Sequence, residues 1–180
     1  MSILKIAKMG NPVLLEPAEI ISDPKSPEIV ELIQDMIETM IDADGLGLAA
    51  PQVHVSKQLV IFFLNENSEN NGNANLNILI NPVIEPLSEE IVYDWEGCLS
   101  VPGLRGLVPR YKSIKYSGLD HLGEIVEKKA MDFHARVIQH ECDHLQGIIY
   151  PQRMDNLKNL IFQSEMKYID NIKDSDSERG

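Results

Sequence analysis

The spacing of hydrophobic residues distinguishes helical from strand-like segments in this chain. Within residues 27–42, apolar side chains recur every three or four positions with acidic residues between them, which predicts an amphipathic helix. Ser26 can cap this helix, and Pro27 suits its first turn. Residues 58–64 and 77–84 are instead short and rich in β-branched or aromatic side chains, which predicts strands.

The middle of the chain continues as strands joined by turns. Residues 89–95, 111–119 and 124–130 have strand composition, and residues 120–123 form a turn sequence that makes the last two a hairpin. Residues 65–77 contain seven Asn with Glu, Ser and Gly between them, so we expect a loop there.

The last third of the chain contains two more helical patterns. We predict a helix over residues 133–146, with Asp132 as its cap and Gly147 ending it in the left-handed conformation. A second amphipathic pattern, at about residues 155–169, predicts a C-terminal helix. Residues 170–180 are polar, and we expect them to be disordered.

Composition narrows the possible classes of function. The chain has 180 residues, 43% of them hydrophobic, and a net charge of −12, so we expect one domain with a sizeable core and no direct binding to DNA. The N-terminal segment lacks the apolar region of a signal peptide, and no apolar run approaches the roughly 20 residues of a membrane span. Two cysteines are too few for a disulfide framework. We therefore expect a cytoplasmic protein without membrane contact.

The candidate chemistry lies within the helix predicted over residues 133–146. His140 and His144 are one helical turn apart and face the same side, which is the spacing that lets two imidazoles share one metal ion. Glu141 projects beside them, where its carboxylate can reach a water molecule without being a ligand. An exposed helix with ordinary histidines also fits these five residues, so the motif alone leaves both interpretations open.

A catalytic metal site of this type has three protein ligands, so the third must come from another part of the chain. Tyr150 stands where metzincin proteases carry their third histidine, which argues against that class. Cys142 points to the opposite side of the predicted helix. Two candidates remain. Glu165 would define a zinc endopeptidase, whereas Cys98 lies in a glycine-shaped loop at the end of a predicted strand.

Three short motifs, taken together, carry a family resemblance. They are residues 45–52 (GLGLAAPQ), 96–100 (EGCLS) and 139–144 (QHECDH). In this order they resemble the three motifs of peptide deformylases, and the resemblance covers roughly residues 3–155. His54 and Asp132 depart from the family pattern, because glycine or another small residue is common at both positions.

The resemblance implies a metallohydrolase that removes the N-formyl group from the N-terminal formyl-methionine of newly made polypeptides. Cys98, His140 and His144 would hold one divalent metal with water in the fourth position, and the hydroxide formed there would attack the formyl carbonyl. Glu141 would serve as general acid and base. The family implies Fe(2+) in the cell, whereas Zn(2+), Ni(2+) or Co(2+) would suit the same ligands in a purified protein.

The resemblance also implies roles for residues outside the metal-binding set. The side-chain amide of Gln52 and the backbone N–H of Leu99 would stabilise the oxyanion that forms on the formyl oxygen. Gly47 would hydrogen-bond the substrate backbone, and Gly45 and Gly97 would lie in the same substrate-binding site. The implied partners are N-formyl-methionyl nascent peptides, with transient contact to the ribosome.

The implied fold agrees with the pattern of strands and helices. We expect one α+β catalytic domain over residues 1–169, with antiparallel β-sheets packed around the central metal-binding helix, an N-terminal helix and a C-terminal helix. Two other functions stay open: a zinc endopeptidase that uses Glu165, and a non-catalytic homologue that binds nascent peptides. The intact Glu141 favours catalysis, because a binding module does not need a general base.

Overall fold

The structure, a computed structural model, describes residues 2–64 and 75–169. This part of the chain forms two α-helices, eight β-strands and several short 3-10 helices. The helices are α1 (Pro27–Asp42) and α2 (Asp132–Leu145), and the strands are β1 (Gly47–Ala49), β2 (Leu59–Leu64), β3 (Asn75–Pro86), β4 (Ile91–Cys98), β5 (Val101–Tyr111), β6 (Ser113–Leu119), β7 (Ile125–Met131) and β8 (Leu160–Phe162). The predicted α+β class, the N-terminal helix, the motif helix and the predicted strands are confirmed.

Five strands form one antiparallel sheet in the order β1-β2-β3-β6-β7. Strand β2 is buried on both of its faces, because successive side chains of a strand point in opposite directions. Leu59 and Ile61 belong to the apolar cluster that contains the buried side chains of α1. Val60 and Phe62 belong to the cluster that contains the buried apolar side chains of α2. The sheet therefore separates the two helices.

The three remaining strands form a second antiparallel sheet in the order β4-β5-β8. Strand β5 was not predicted, because Pro102, Gly103, Gly106 and Pro109 interrupt its apolar pattern with residues typical of turns. Its backbone nevertheless pairs with β4 from Tyr111 back to Val101. Since β8 pairs only with residues 104–106, strand β5 is an edge strand at both prolines, where proline is tolerated.

Helix α2 is buried from Ala135 to Leu145, as expected for a helix between sheets. The prediction that Asp132 caps this helix is wrong. Met131 occupies the cap position, and Asp132 has a φ of +51° with its N–H bonded to the Lys112 carbonyl at 2.8 Å. A left-handed residue here lets the chain leave β7 and start α2 directly. Gly147 has a φ of +71° just after the helix, which confirms its predicted role.

The predicted C-terminal α-helix is wrong. Residues Leu157–Asn159 and Gln163–Tyr168 form 3-10 helices, and strand β8 lies between them. The Asn156 side chain accepts a hydrogen bond from the Lys158 N–H at 3.0 Å, which fixes a tight turn. Backbone pairing of β8 with β5 then competes successfully with helix formation. The predicted tail at 170–180 and most of the predicted loop at 65–77 lie outside the described residues.

Residues 2–7 form an extended arm that belongs to no helix or strand. The arm crosses from α1 to the loops beside α2, with the Leu4 N–H bonded to Thr39 Oγ1 at 2.8 Å. Within the described ranges, no helix is long and apolar enough to cross a membrane.

Candidate metal centre

Helix α2 places His140 and His144 on one side, as their spacing predicted. The centroids of the two imidazole rings are 5.2 Å apart, and both residues are buried. The ring of Tyr150 stacks beside His140 with its centroid 6.3 Å away, so the residue in the metzincin position packs against a histidine. The helix therefore presents two imidazole nitrogens from a rigid, enclosed surface.

Cys98 comes to these histidines from the end of β4. A tight turn follows it, because Cys98 pairs with Val101 at the start of β5. Its Sγ lies 3.3 Å from His144 Nε2, and the ligand atoms of Cys98, His140 and His144 all lie within 4.8 Å of one another. The structure thus brings together the three residues that the sequence predicted as a metal-binding set.

The competing third ligand is not part of this group. Glu165 lies in the exposed 3-10 helix after β8, where its Oε1 accepts a hydrogen bond from Ser164 Oγ at 3.0 Å. Cys142 is buried in the apolar cluster on the opposite side of α2, as predicted. The arrangement therefore supports Cys98 over Glu165 as the third ligand.

A buried carboxylate holds His140 in place. Glu96 Oε2 accepts a hydrogen bond from His140 Nδ1 at 2.8 Å, which leaves Nε2 as the ring nitrogen that is free to bind a metal. Arg110 donates to both oxygens of Glu96 at 2.9 Å, and Arg136 donates to Oε1 at 2.7 Å. Burial raises the pKa of the Glu96 carboxyl, but the hydrogen bonds from Arg110 and His140 outweigh burial and hold it well below its usual range.

A second carboxylate continues this network along α2. Asp143 accepts hydrogen bonds from Arg110 and, at 2.7 Å, from Arg153 Nη2. Arg136 also donates to the carbonyls of Val92 and Val108, which ties the helix to strands β4 and β5. These buried charges are paired, as buried charges must be if the fold is to tolerate them.

The environment of Cys98 favours its thiolate. Burial raises the pKa of the thiol, but the positive charge and hydrogen bonds of His144 and His140 outweigh burial and hold the pKa well below its usual range. Gln52 Nε2 and the Ser100 N–H each lie 3.4 Å from Sγ as donors. The thiolate is the form of cysteine that binds metals.

Glu141 follows His140 in helix α2, and its side chain is buried. Burial raises its pKa to about 7, despite the opposing charges of His140 and His144. Its Oε2 is buried and has no hydrogen-bond partner within the described residues. A buried carboxylate oxygen without a partner is costly, so this atom is suited to a ligand of the site. One thiolate, two imidazoles and this carboxylate together fit a catalytic divalent cation.

The predicted substrate-binding glycines lie against functional side chains. A Cβ on Gly47 would lie 2.2 Å from Glu141 Oε1, so only glycine fits beside that carboxylate. A Cβ on Gly45 would meet the Leu99 side chain at 2.9 Å, and a Cβ on Gly97 would meet Arg105 Nη1 at 2.6 Å. Gly47 therefore lies against Glu141, while Gly45 and Gly97 are each closely packed by a neighbouring side chain.

Gln52 lies beside Cys98. Its Oε1 accepts a hydrogen bond from the Ala49 N–H at 2.8 Å, which turns its Nε2 towards the sulfur of Cys98. The same Nε2 lies 3.1 Å from Ser100 Oγ. Leu99 lies between Cys98 and Ser100 in the tight turn, so its backbone is close to this amide.

The supporting charges around Glu96 were not predicted from the sequence. The sequence patterns assigned no supporting role to Glu96, Arg110, Arg136 or Asp143. The sequence does contain one indication of this network. Arg136, Gln139, His140 and Asp143 recur at helical spacing, so a helix with buried histidines also has to bury an arginine on the same side.

The fold and the site together define a class of protein. A histidine pair on a buried helix, a cysteine from a strand end and an unpaired buried glutamate are the parts of a metal-dependent hydrolase. The polypeptide deformylase family model matches residues 3–160. The chain belongs to the polypeptide deformylase family and is a hydrolase that removes the formyl group from the N-terminus of polypeptides.

Named relatives and solved structures agree with this assignment. The chain is 50% identical over 156 residues to peptide deformylase 1 of Nitrosomonas europaea, which covers 85% of this chain and 88% of the relative. It is 55% identical over 154 residues to peptide deformylase 1 of Bordetella pertussis, covering 84% and 88%.

Two solved structures add the fold and bound molecules. A class I type b peptide deformylase from Acinetobacter baumannii with bound Met-Ala-Ser matches with a TM-score of 0.76 and 38% identity, covering 84% of this chain and 98% of that one. A peptide deformylase from Synechococcus elongatus in complex with actinonin matches with a TM-score of 0.78 and 36% identity, covering 87% and 81%.

Proposed function

We propose that this enzyme acts on the N-formyl-methionine of newly made polypeptides, with Cys98, His140 and His144 as the ligands of one divalent cation. The observation that carries this proposal is the meeting of three ligand atoms from β4 and α2 within 4.8 Å of one another. When bound there, a divalent cation supplies Lewis acidity that makes water nucleophilic near neutral pH.

Glu141 moves the proton in this proposal. Its pKa of about 7 lets it accept a proton from the attacking water and then deliver it to the amine of the departing methionine. Its unpaired Oε2 is the atom that takes the proton, since Oε1 lies against Gly47. The enclosed position of the carboxylate excludes bulk water, which would otherwise compete for this proton.

Gln52 and Leu99 stabilise the developing negative charge. The Gln52 Nε2 is held in orientation by the bond between its Oε1 and Ala49, so it costs little to align when the oxyanion forms. Loss of one such donor typically costs on the order of 10²–10³ in rate.

The substrate backbone binds beside β1. This strand lies at the edge of the five-stranded sheet, so a peptide can extend the sheet by pairing with Gly47. Gly45 and Gly97 belong to the same proposed substrate-binding site, and their lack of a side chain lets Leu99 and Arg105 pack closely against the backbone there. The Met-Ala-Ser bound to the Acinetobacter baumannii enzyme supports a substrate that begins with methionine.

The metal in the cell is Fe(2+) in this proposal, while Zn(2+), Ni(2+) or Co(2+) can replace it in the purified protein. A ferrous ion on a partly exposed thiolate is sensitive to oxidation, so iron-loaded enzyme should lose activity in air and a nickel-loaded preparation should keep it. The proposal also places the enzyme in the cytoplasm, in transient contact with ribosomes, because that is where nascent formylated chains occur.

Two substitutions separate this function from its rivals. Cys98→Ala should abolish binding of one metal equivalent, whereas Glu165→Ala should bind metal like the wild type. Formate release from formyl-Met-Ala-Ser by nickel-loaded wild type should fall about 10²–10⁴-fold in Glu141→Gln while metal content stays constant. Metal loss in Glu165→Ala alone would support an endopeptidase, and equal turnover by wild type and Glu141→Gln would exclude the proposed role of Glu141.

A further inference from the structure

The N-terminal arm crosses both loops that are proposed to stabilise the oxyanion. The Ala7 N–H donates to the Gln52 carbonyl at 2.7 Å, and the Met9 N–H donates to the Ser100 carbonyl at 2.8 Å. Ala7 is buried among the apolar side chains near Cys98, which fixes the backbone of the arm at this point. The arm therefore joins two loops that are far apart in the sequence.

Lys8 lies between these two backbone bonds and makes a contact of a different kind. Its Nζ donates to the Leu99 carbonyl at 2.8 Å. The same peptide group carries the Ser100 N–H, which donates to Cys98 Sγ at 3.4 Å. An ammonium thus binds one end of a peptide group whose other end binds the sulfur of the predicted metal ligand.

A peptide group that accepts a strong hydrogen bond at its oxygen becomes a stronger donor at its nitrogen. Such chains of hydrogen bonds polarise one another, and a charged donor has the larger effect. The Lys8 ammonium should therefore strengthen the Ser100–Cys98 bond and hold the Leu99 backbone, including its N–H, in a single orientation.

We propose that Lys8 is a positioning residue that acts through the Leu99–Ser100 peptide group on the sulfur of Cys98 and on the Leu99 amide. This inference rests on the proposed function, because it assigns Cys98 to the metal and Leu99 to the oxyanion. Lys8 itself touches neither the substrate nor the reacting atoms. It acts as hydrogen-bonding partners of metal ligands commonly do, by orienting the ligand and adjusting its electron density.

The first test is measured on the metal-free protein and needs no activity. In Lys8→Met, amide hydrogen exchange followed by NMR should be several-fold faster at Ser100, while the Ala7 and Met9 amides keep their protection. Lys5→Met is the matched control, because Lys5 is exposed on the same arm. A purely structural role would instead raise exchange at Ala7 and Met9 as well.

The second test measures the site with metal bound. Nickel-loaded Lys8→Met should lose about tenfold in kcat, the lower end of the usual effect for a partner of a metal ligand, with KM changed less than about twofold. Lys8→Arg should recover most of the loss, since it restores a cationic donor. In the cobalt-loaded protein, the sulfur-to-metal charge-transfer band should move to longer wavelength in Lys8→Met, because a weaker hydrogen bond raises the energy of the sulfur electrons.

The outcomes separate this inference from the proposed function. If Lys8→Met matches Lys5→Met in Ser100 exchange, kcat and the cobalt band, the inference is wrong even though the wild type deformylates its substrate. If wild type binds no metal through Cys98, the proposed function fails, and the Ser100 exchange rate still reports whether Lys8 acts on this peptide group.

Discussion

The two sides of helix α2 are both buried, but they are built from opposite kinds of side chain. The side facing the five-stranded sheet is apolar, and its residues recur at helical spacing: Ala135, Ile138, Cys142 and Leu145. The other side carries polar residues at the same spacing: Arg136, Gln139, His140, Asp143 and His144. One helix thus joins an ordinary core to a buried polar site.

This difference shows what each side requires of its neighbours. The apolar side needs only shape and volume, which many hydrophobic sequences can supply. The polar side needs a specific partner for each buried group: Gln139, for example, bonds both the N–H and the carbonyl of Tyr111, at 3.0 and 2.9 Å. Loss of one partner on the polar side leaves a buried charge unpaired, so its consequences should extend to metal binding.

The largest expected effect comes from removing the charge of Glu96. Glu96→Gln leaves Arg110 and Arg136 without their shared carboxylate and takes the charged acceptor from His140. We expect a loss of about 3–5 kcal/mol in the free energy of unfolding and about 10–100-fold weaker metal binding. Urea unfolding and a competitive chelator titration measure the two quantities.

The matched control for this change is Glu90→Gln. Glu90 forms an exposed ion pair with Lys112 at 2.8 Å, and exposed pairs contribute little to stability because water screens them. If Glu96→Gln and Glu90→Gln had similar effects on metal affinity, the buried network would have no role in the site.

A truncation on the apolar side should affect stability alone. Leu79 is fully buried in the cluster that contains the apolar side of α2. We expect Leu79→Ala to lower the free energy of unfolding by about 3 kcal/mol, because it removes buried methyl groups and leaves a cavity. Metal affinity should stay within about twofold of wild type, since no polar partner is lost.

Val83→Ala on the same strand is the control, because Val83 is exposed and its truncation should change stability by no more than about 0.5 kcal/mol. Weaker metal binding in Leu79→Ala would show that the two sides of α2 are not independent.

At about pH 6, the smallest of the three effects concerns the pH dependence of stability. Burial raises the pKa of Glu141 to about 7 from an ordinary value of 4.5, so the folded metal-free protein disfavours the charged form. Stability should therefore be retained below about pH 4.5 and lost as the pH rises from there to about 7, by about 2 kcal/mol at about pH 6 and by roughly 3 kcal/mol in total.

The substitution Glu141→Gln should remove this loss of stability with rising pH. In the presence of a chelator, the variant should gain stability relative to wild type between pH 5 and pH 8, as measured by urea unfolding. A constant difference between the two proteins over this range would contradict a raised pKa for Glu141 in the folded protein.

The sequence predicted the helices and strands in which hydrophobic residues recur regularly. Helix α1 and strands β2, β3, β6 and β7 were predicted because burial on one or two faces leaves a clear period in the sequence. The pattern failed where tertiary pairing outweighed local preference. Strand β5 contains turn-forming residues but pairs along all of β4, and the C-terminal segment has a helical pattern but adds β8 to the same sheet.

The candidate metal ligands were predicted by their residue types and by family resemblance, whereas the side chains that hydrogen-bond to them were not. His140 and His144 lie on one helix, so their spacing alone brings them together. The hydrogen bond between Glu96 and His140 joins residues 44 positions apart, and the hydrophobic pattern of a single helix or strand cannot predict such a contact. The same holds for Lys8 and Leu99, which are separated by 91 positions.

The sequence by itself determined the α+β class, the helix that carries His140, Glu141 and His144, and the candidate residues for the chemistry. The tertiary structure decided that Cys98, rather than Glu165, lies beside the two histidines. It also decided which charged side chains hydrogen-bond to the site residues, and that the C-terminal segment adds strand β8 to the second sheet. The physical reason is distance along the chain. The spacing of hydrophobic residues within a helix or strand shows which of its faces is buried. Hydrogen bonds between distant segments depend instead on how the helices and strands pack.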